Sequence, residues 1–164
     1  MELNALYADI LRRLPPQQRQ QLIVAERAWV AFKEKQAEFL HHLQKAGLLL
    51  EGTRDELMRT EVFNRINKLR ALLALGGYRS FVGATDRESE LNQRYQECIR
   101  KFSGESQRKL REAQRRWVTY READSKIFPN DGLVIWNRIS ELRRFIEAAN
   151  VPESTIPNPF ERAK

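Results

Sequence analysis

One cysteine, two histidines and seven glycines are all that this chain of 164 residues holds of three residue types on which much protein chemistry rests. A lone Cys98 cannot close an internal disulfide or build a multi-thiolate metal site, which removes the stapled secreted folds. The histidines are neighbours, His41 and His42, and adjacent helical residues point about 100° apart, so they make a poor metal pair. They also leave no convincing Ser-His-Asp set. Gly76-Gly77 lacks the Lys and Ser/Thr of a phosphate loop. No apolar run approaches the ~20 residues that cross a bilayer; the longest candidate, Gly47 to Leu50, stops at Glu51. Met1-Glu2-Leu3-Asn4 shows neither a basic nor an apolar leader segment. With no disulfide either, the expectation is a cytoplasmic protein, or a periplasmic or secreted one if a signal has been removed. No catalytic residue, metal or cofactor is expected, and no membrane insertion.

What the chain has is charge and helical periodicity. Charged residues make up 31% and hydrophobic ones 41%, with a net charge of +7, too apolar and too regular for disorder. Breaks fall at Leu14-Pro15-Pro16, Gly47 to Gly52, Gly76-Gly77, Ser103-Gly104 and Pro129 to Gly132, and Val151-Pro152 opens a tail with three prolines. Between the breaks, apolar residues recur at spacings of three and four. Leu22, Ala25, Trp29, Phe32, Phe39 and Leu43 form one stripe; Leu110, Ala113, Trp117, Tyr120 and Ile127 form another. Thr53-Arg-Asp-Glu56 reads as a capping box opening a helix through Val62, Ile66, Leu69 and Leu73. Nothing alternates like a strand. The fold class is all-α.

An internal repeat organises these helices. Leu3-Asn4-x-x-Tyr7 returns as Leu91-Asn92-x-x-Tyr95, displaced by 88 positions, and the same offset carries Ala25-Glu-Arg27 to Ala113-Gln-Arg115 and Trp29-Val30 to Trp117-Val118. Ten of thirty-five positions are identical over 3–37 and 91–125. Further on, Asn64-Arg-Ile66-x-x-Leu69-Arg70 matches Asn137-Arg-Ile139-x-x-Leu142-Arg143 at an offset of 73, so the first copy has 15 more residues between its second and third helices. The expected architecture is a helical bundle of two repeated three-helix units, 1–75 and 87–150, joined by a linker at 76–86 and followed by a tail at 151–164.

The pattern Leu91-Asn92-x-x-Tyr95, a spacer, then Ala113-Gln114-Arg115-Arg116-Trp117-Val-Thr-Tyr120-Arg121 resembles the LprI-like lysozyme-inhibitor family of small bacterial proteins. The first half, with Leu3-Asn4-x-x-Tyr7 and Ala25-Glu26-Arg27-Ala28-Trp29, looks like a drifted second copy. The resemblance implies a helical protein, exported or lipid-anchored in typical members, that inhibits lysozyme by direct binding. It also implies a Cys just after the Trp-x-x-Tyr-Arg stretch, paired with one in the third helix. Here Ser125 and Ala37 hold those positions, and no Cys lies near Asn64 or Asn137.

Candidate residues sort into two kinds. Trp29 and Trp117 belong to the core; Tyr7 and Tyr95 pack against the long helices with their hydroxyls on backbone groups; Asn4 and Asn92 cap the short helices or a neighbouring turn. Carboxylates such as Glu34 with Glu38, or Glu112 with Glu122, read as solvated ion-pair partners. Cys98 sits beside Glu97, which discourages a reactive thiolate. Partner-binding candidates are Tyr78, Arg79 and Phe81 in the linker, and the helical face of Arg108, Arg111 and Arg115. Two further loops, Gly47 to Gly52 and the aromatic-flanked turn Phe128 to Gly132 with Trp136, offer surface as well.

These features point to a non-enzymatic protein-binding module, an inhibitor or immunity-type protein that occludes a bacterial hydrolase or toxin, its target possibly acidic. The rival readings are a basic helical module that binds nucleic acid through Arg108 to Arg121, and a scaffold or oligomer subunit.

Overall fold

The computed structural model describes residues 2–50, 52–75, 87–129 and 132–149. Six helices account for most of them: α1 (Glu2–Arg13), α2 (Pro16–Lys45), α3 (Thr53–Leu75), α4 (Arg87–Lys101), α5 (Gly104–Asp124) and α6 (Gly132–Ala149). No strand occurs among the described residues. The order short, long, third runs twice, as the repeat requires. Residues 76–86 and 151–164, read above as linker and tail, lie outside the described residues.

Local chemistry sets the helix ends. Pro16 stands at the first position of α2, where a missing N–H costs nothing, and the Pro15 backbone before it is extended. At the other end Gly47 takes φ 72°, the Leu48 N–H reaches the Leu43 carbonyl at 2.9 Å, and the Gly47 N–H reaches that of Gln44 at 3.1 Å. That pair of bonds is a Schellman stop, which needs the left-handed residue that glycine supplies. Helix α3 starts at Thr53 as its capping pattern predicts, but the Glu56 carboxylate is used elsewhere: Arg144 of α6 holds it at 2.7 Å. Asn4 and Asn92 lie inside α1 and α4 and are exposed, so neither occupies the cap position of its own helix.

Helices α2 and α5 form the central pair and run antiparallel. His42 near the end of α2 meets Ser106 near the start of α5 at 3.1 Å. At mid-length the Phe32 and Tyr120 rings stack with centroids 6.0 Å apart. These two residues are equivalents under the 88-residue repeat, so an approximate two-fold axis runs between them. Helix α1 packs on α3, and α4 on α6. The larger core cluster joins the second half of α2 to α4, α5 and α6, with Phe39 edge-on to both Phe102 and Phe145. A smaller one joins Ile10, Leu22, Leu69 and Leu72 to Phe128, beyond the end of α5. Trp29 and Trp117 are buried, as their place on the stripes predicts.

Two buried arginines cross-link the halves around that axis. Arg65 of α3 donates from Nε to Glu26 of α2 at 2.9 Å and from Nη1 to Asp124 of α5 at 2.7 Å. Arg138 of α6, its repeat equivalent, donates from Nε to Gln114 of α5 at 2.9 Å and from Nη1 to Gln36 of α2 at 3.0 Å. Glu26 and Gln114 are repeat equivalents, and so are Gln36 and Asp124. Each guanidinium therefore grips its own long helix and that of the other half, against a partner ring from the far copy: Tyr120 at 5.8 Å for Arg65, Phe32 at 5.3 Å for Arg138. Lys68 adds a second cation at Asp124; its equivalent Glu141 instead accepts from Arg138 Nη1 at 2.7 Å.

Glu61 of α3 closes this network. Its carboxyl lies against Glu141 and Trp29. Burial first, then the neighbouring Glu141 charge, raises its pKa well above the ordinary carboxylate value of 4.5, although Arg138 and Trp29 pull the other way.

Two outcomes follow from this core. Asp124→Ala removes a carboxylate that Arg65 and Lys68 share in a dry site and should cost about 3–5 kcal/mol by denaturant unfolding; a loss below about 1 kcal/mol would refute the cross-link's role. Glu61 favours the fold when protonated, so its contribution is complete below pH 4.5 and is lost as pH rises through its raised value. Melting temperature between mildly acidic and alkaline pH should therefore fall more steeply in the wild type than in Glu61→Gln, and equal slopes would contradict the shift.

Candidate protein-docking surface

The inward face of α3 buries Leu57, Arg65, Lys68, Leu69 and Leu72. Val62 and Ile66, placed on the buried stripe by their spacing, are only half-buried. They belong with Asp55, Met58, Arg59 and Phe63 to a different face, since residues three and four apart stack along one side of a helix. Apolar residues thus occur around most of α3. This second face and Lys33 of α2 line an open groove of about 780 Å³. Its floor is Met58, Val62 and Ile66, and the Phe63 ring stands on its edge, 61% exposed. The Lys33 amine lies 4.8 Å from the Trp29 ring centre, and Arg59 Nε donates to the Asp55 carbonyl at 3.2 Å. Neither cation is paired with a carboxylate among the described residues.

The second half contains the same positions and treats them differently. Trp136 occupies the place of Phe63 and is 47% exposed, but Ile135 and Ile139, equivalent to Val62 and Ile66, are buried to 1% and 2%. Arg121, equivalent to Lys33, lies over Trp117 as Lys33 lies over Trp29, yet it is ion-paired with Glu88. One face is closed and the other is open.

The residues singled out from sequence are scattered relative to this groove. Tyr78, Arg79 and Phe81 lie outside the described residues. Arg108 is clamped between Glu105, at 2.8 Å from its Nε, and Glu112, at 2.9 Å from Nη1. Its charge is spent within α5, and Glu105 is held at a pKa of about 2 by hydrogen bonding to Arg108. Arg111 reaches Gln107, and Arg115 is exposed. Of the three cations on this face, only Arg108 is thus paired with carboxylates among the described residues. The turn after α5 also differs from expectation, because of its two flanking aromatics Phe128 is fully buried while Trp136 faces solvent. Tyr7 and Tyr95 are half-buried, with pKa values raised by burial, and neither hydroxyl meets a backbone group among the described residues.

Cys98 is buried and donates from Sγ to the Leu142 carbonyl at 3.1 Å. Burial, more than Glu97, pushes the thiol up to about 12, far from a working nucleophile. Among the described residues no cluster of His, Cys, Asp or Glu could hold a metal ion, and no helix is long and apolar enough to cross a membrane. Phe63 could have been noticed from sequence through its alignment with Trp136, a paired aromatic that falls off both apolar stripes.

Comparison with known proteins adds the following. A family model described as "Lysozyme inhibitor LprI" matches the chain twice, over residues 1–72 and 84–149. No curated protein matches it. Among solved structures, the crystal structure of an uncharacterized protein from Burkholderia thailandensis is similar in fold, with a TM-score of 0.68. The two are 19% identical, and the match covers 89% of this chain and 79% of that one.

The exposed Phe63 and the buried Phe128 should respond differently to truncation. Phe63→Ala should change unfolding free energy by no more than about 0.5 kcal/mol, as for an exposed site. Phe128→Ala should cost about 3–5 kcal/mol. Urea unfolding of both variants decides this, and comparable losses would refute the assignment.

Proposed function

This chain belongs to the LprI lysozyme inhibitor family, and from that premise we propose that it is a non-catalytic inhibitor that binds a lysozyme-type hydrolase and occludes its cleft. The observation that carries the reading is the double family match, which spans both repeats. The fold suits the role. Its long central helices are cross-braced by buried polar groups, so a surface presented by the bundle is already ordered and binding need not spend free energy on ordering it. Lysozyme-type hydrolases act with paired carboxylates in a cleft, and a cation-bearing surface is complementary to such a site. The compartment that fits this reading is the periplasm or the cell exterior, where a cell-wall hydrolase meets its substrate. A core stabilised without disulfides is compatible with either an oxidising or a reducing compartment.

Titrating the purified chain into a panel of lysozymes clearing a cell-wall suspension tests the proposal. Turbidity loss should slow in proportion to added chain and level off at one-to-one stoichiometry. The net charge of +7 supplies a second readout: added salt should speed association with a net-positive hydrolase and slow it with a net-negative one. Absence of both inhibition and a co-eluting complex at micromolar concentration would sink the reading.

A further inference from the structure

We propose that the α2/α3 groove is the surface that docks the target, and that its occupant is a protein segment presenting an apolar side chain beside a carboxylate. This inference rests on the inhibitor reading and deepens it.

The internal repeat acts as a control within one molecule. Both halves build the same frame, so a feature needed only for folding should be present in both. In the second half the corresponding apolar pair, Ile135 and Ile139, is covered, and the corresponding cation, Arg121, is neutralised by Glu88. In the first half Val62 and Ile66 stay half-open, and Lys33 has no carboxylate partner among the described residues. Open apolar surface costs solubility, and Lys33, though it lies over the Trp29 ring, has no carboxylate to neutralise it as Glu88 neutralises Arg121. Together they make a surface that lacks its complement.

The lining says what that complement is. Met58, Val62, Ile66 and the edge of Phe63 accept an apolar side chain, in a volume within the range of protein binding clefts. Lys33 and Arg59 stand at the rim, and the bond from Arg59 Nε to the Asp55 carbonyl holds that guanidinium along the helix. Two cations beside an apolar floor call for a carboxylate next to the inserted side chain. Asp55, also on the rim, would repel an occupant that was acidic throughout. Aromatic, Met and Arg side chains are the types enriched where interfaces concentrate their binding energy. Seven residues line the groove against the roughly 20–30 a side of a standard interface, so it would be the centre of a wider contact rather than all of it.

The test uses three variants of the full chain: Phe63→Ala, Arg59→Glu and, at the matched position in the closed half, Trp136→Ala. Each is titrated against a lysozyme that the wild type inhibits, with melting temperature measured in parallel. Phe63→Ala and Arg59→Glu should each weaken inhibition by about tenfold or more at unchanged melting temperature, and Trp136→Ala by less than about threefold. Equal inhibition by all four proteins would overturn the docking surface and leave the inhibitor reading standing. Failure of the wild type on every lysozyme of the panel would overturn both. A wild-type dimer that Phe63→Ala converts to monomer would also overturn the proposal, because a second copy would then be the occupant.

Discussion

Everything in this bundle is arranged around two guanidinium groups that have been taken out of water. Each leaves a third helix, passes between α2 and α5, and takes one acceptor from the long helix of either half. Burying an arginine is costly unless its hydrogen bonds are met, so each of these side chains constrains three helices at once. Because the acceptors come from both repeats, neither half supplies its arginine's partners alone. The long helices must lie antiparallel, with Phe32 against Tyr120, for both sets to form together. The two sets differ in charge. Arg65 meets two carboxylates, whereas Arg138 meets two amides and relies on Glu141, which itself sits against Glu61.

The same geometry bears on the missing cysteines. Where the family resemblance leads one to expect a Cys, the chain has Ser125 and Ala37, and the residues just before them are Asp124 and Gln36. These are the acceptors through which each long helix holds the third helix of the other half. A polar cross-link thus stands beside each position where a covalent one was expected. It joins the halves to each other rather than stapling each to itself.

Duplication also left the two halves free to diverge away from the axis. The second half keeps Ile135 and Ile139 covered and ties its surface cation to a carboxylate. The first half carries its extra residues in a longer α2 and an α3 that starts earlier relative to its repeat partner, the connection between the two helices being as long as that between α5 and α6, and its face of Met58, Val62, Phe63 and Ile66 stays partly open. Symmetry near the axis and asymmetry at the rim suit different requirements. The axis must be shared for the chain to fold, while a single binding face needs to occur only once.

Fold class, the two copies and most helix ends were legible in the chain itself, because they depend on neighbours within a few residues: a 3.6-residue apolar period, Pro16 at a first turn, Gly47 at a Schellman stop. The burial of Trp29 and Trp117 was legible too, since both recur on long apolar stripes. The site was harder. Val62 and Ile66 carry the same spacing as core residues, and periodicity cannot say which side of a helix has a neighbour to pack on. Arg108, Arg111 and Arg115 do share a face, but whether Arg108 is free depends on which rotamer reaches Glu105 and Glu112. The roles of Arg65, Arg138 and Glu61 were invisible, because their partners lie as far as 102 residues away and chain spacing carries no sign of them. What the sequence by itself determined is that six helices form and that they come as two related sets of three. Only the tertiary structure decided that the sets interlock through buried arginines and that one groove stays open, because both depend on which side chains meet across the axis.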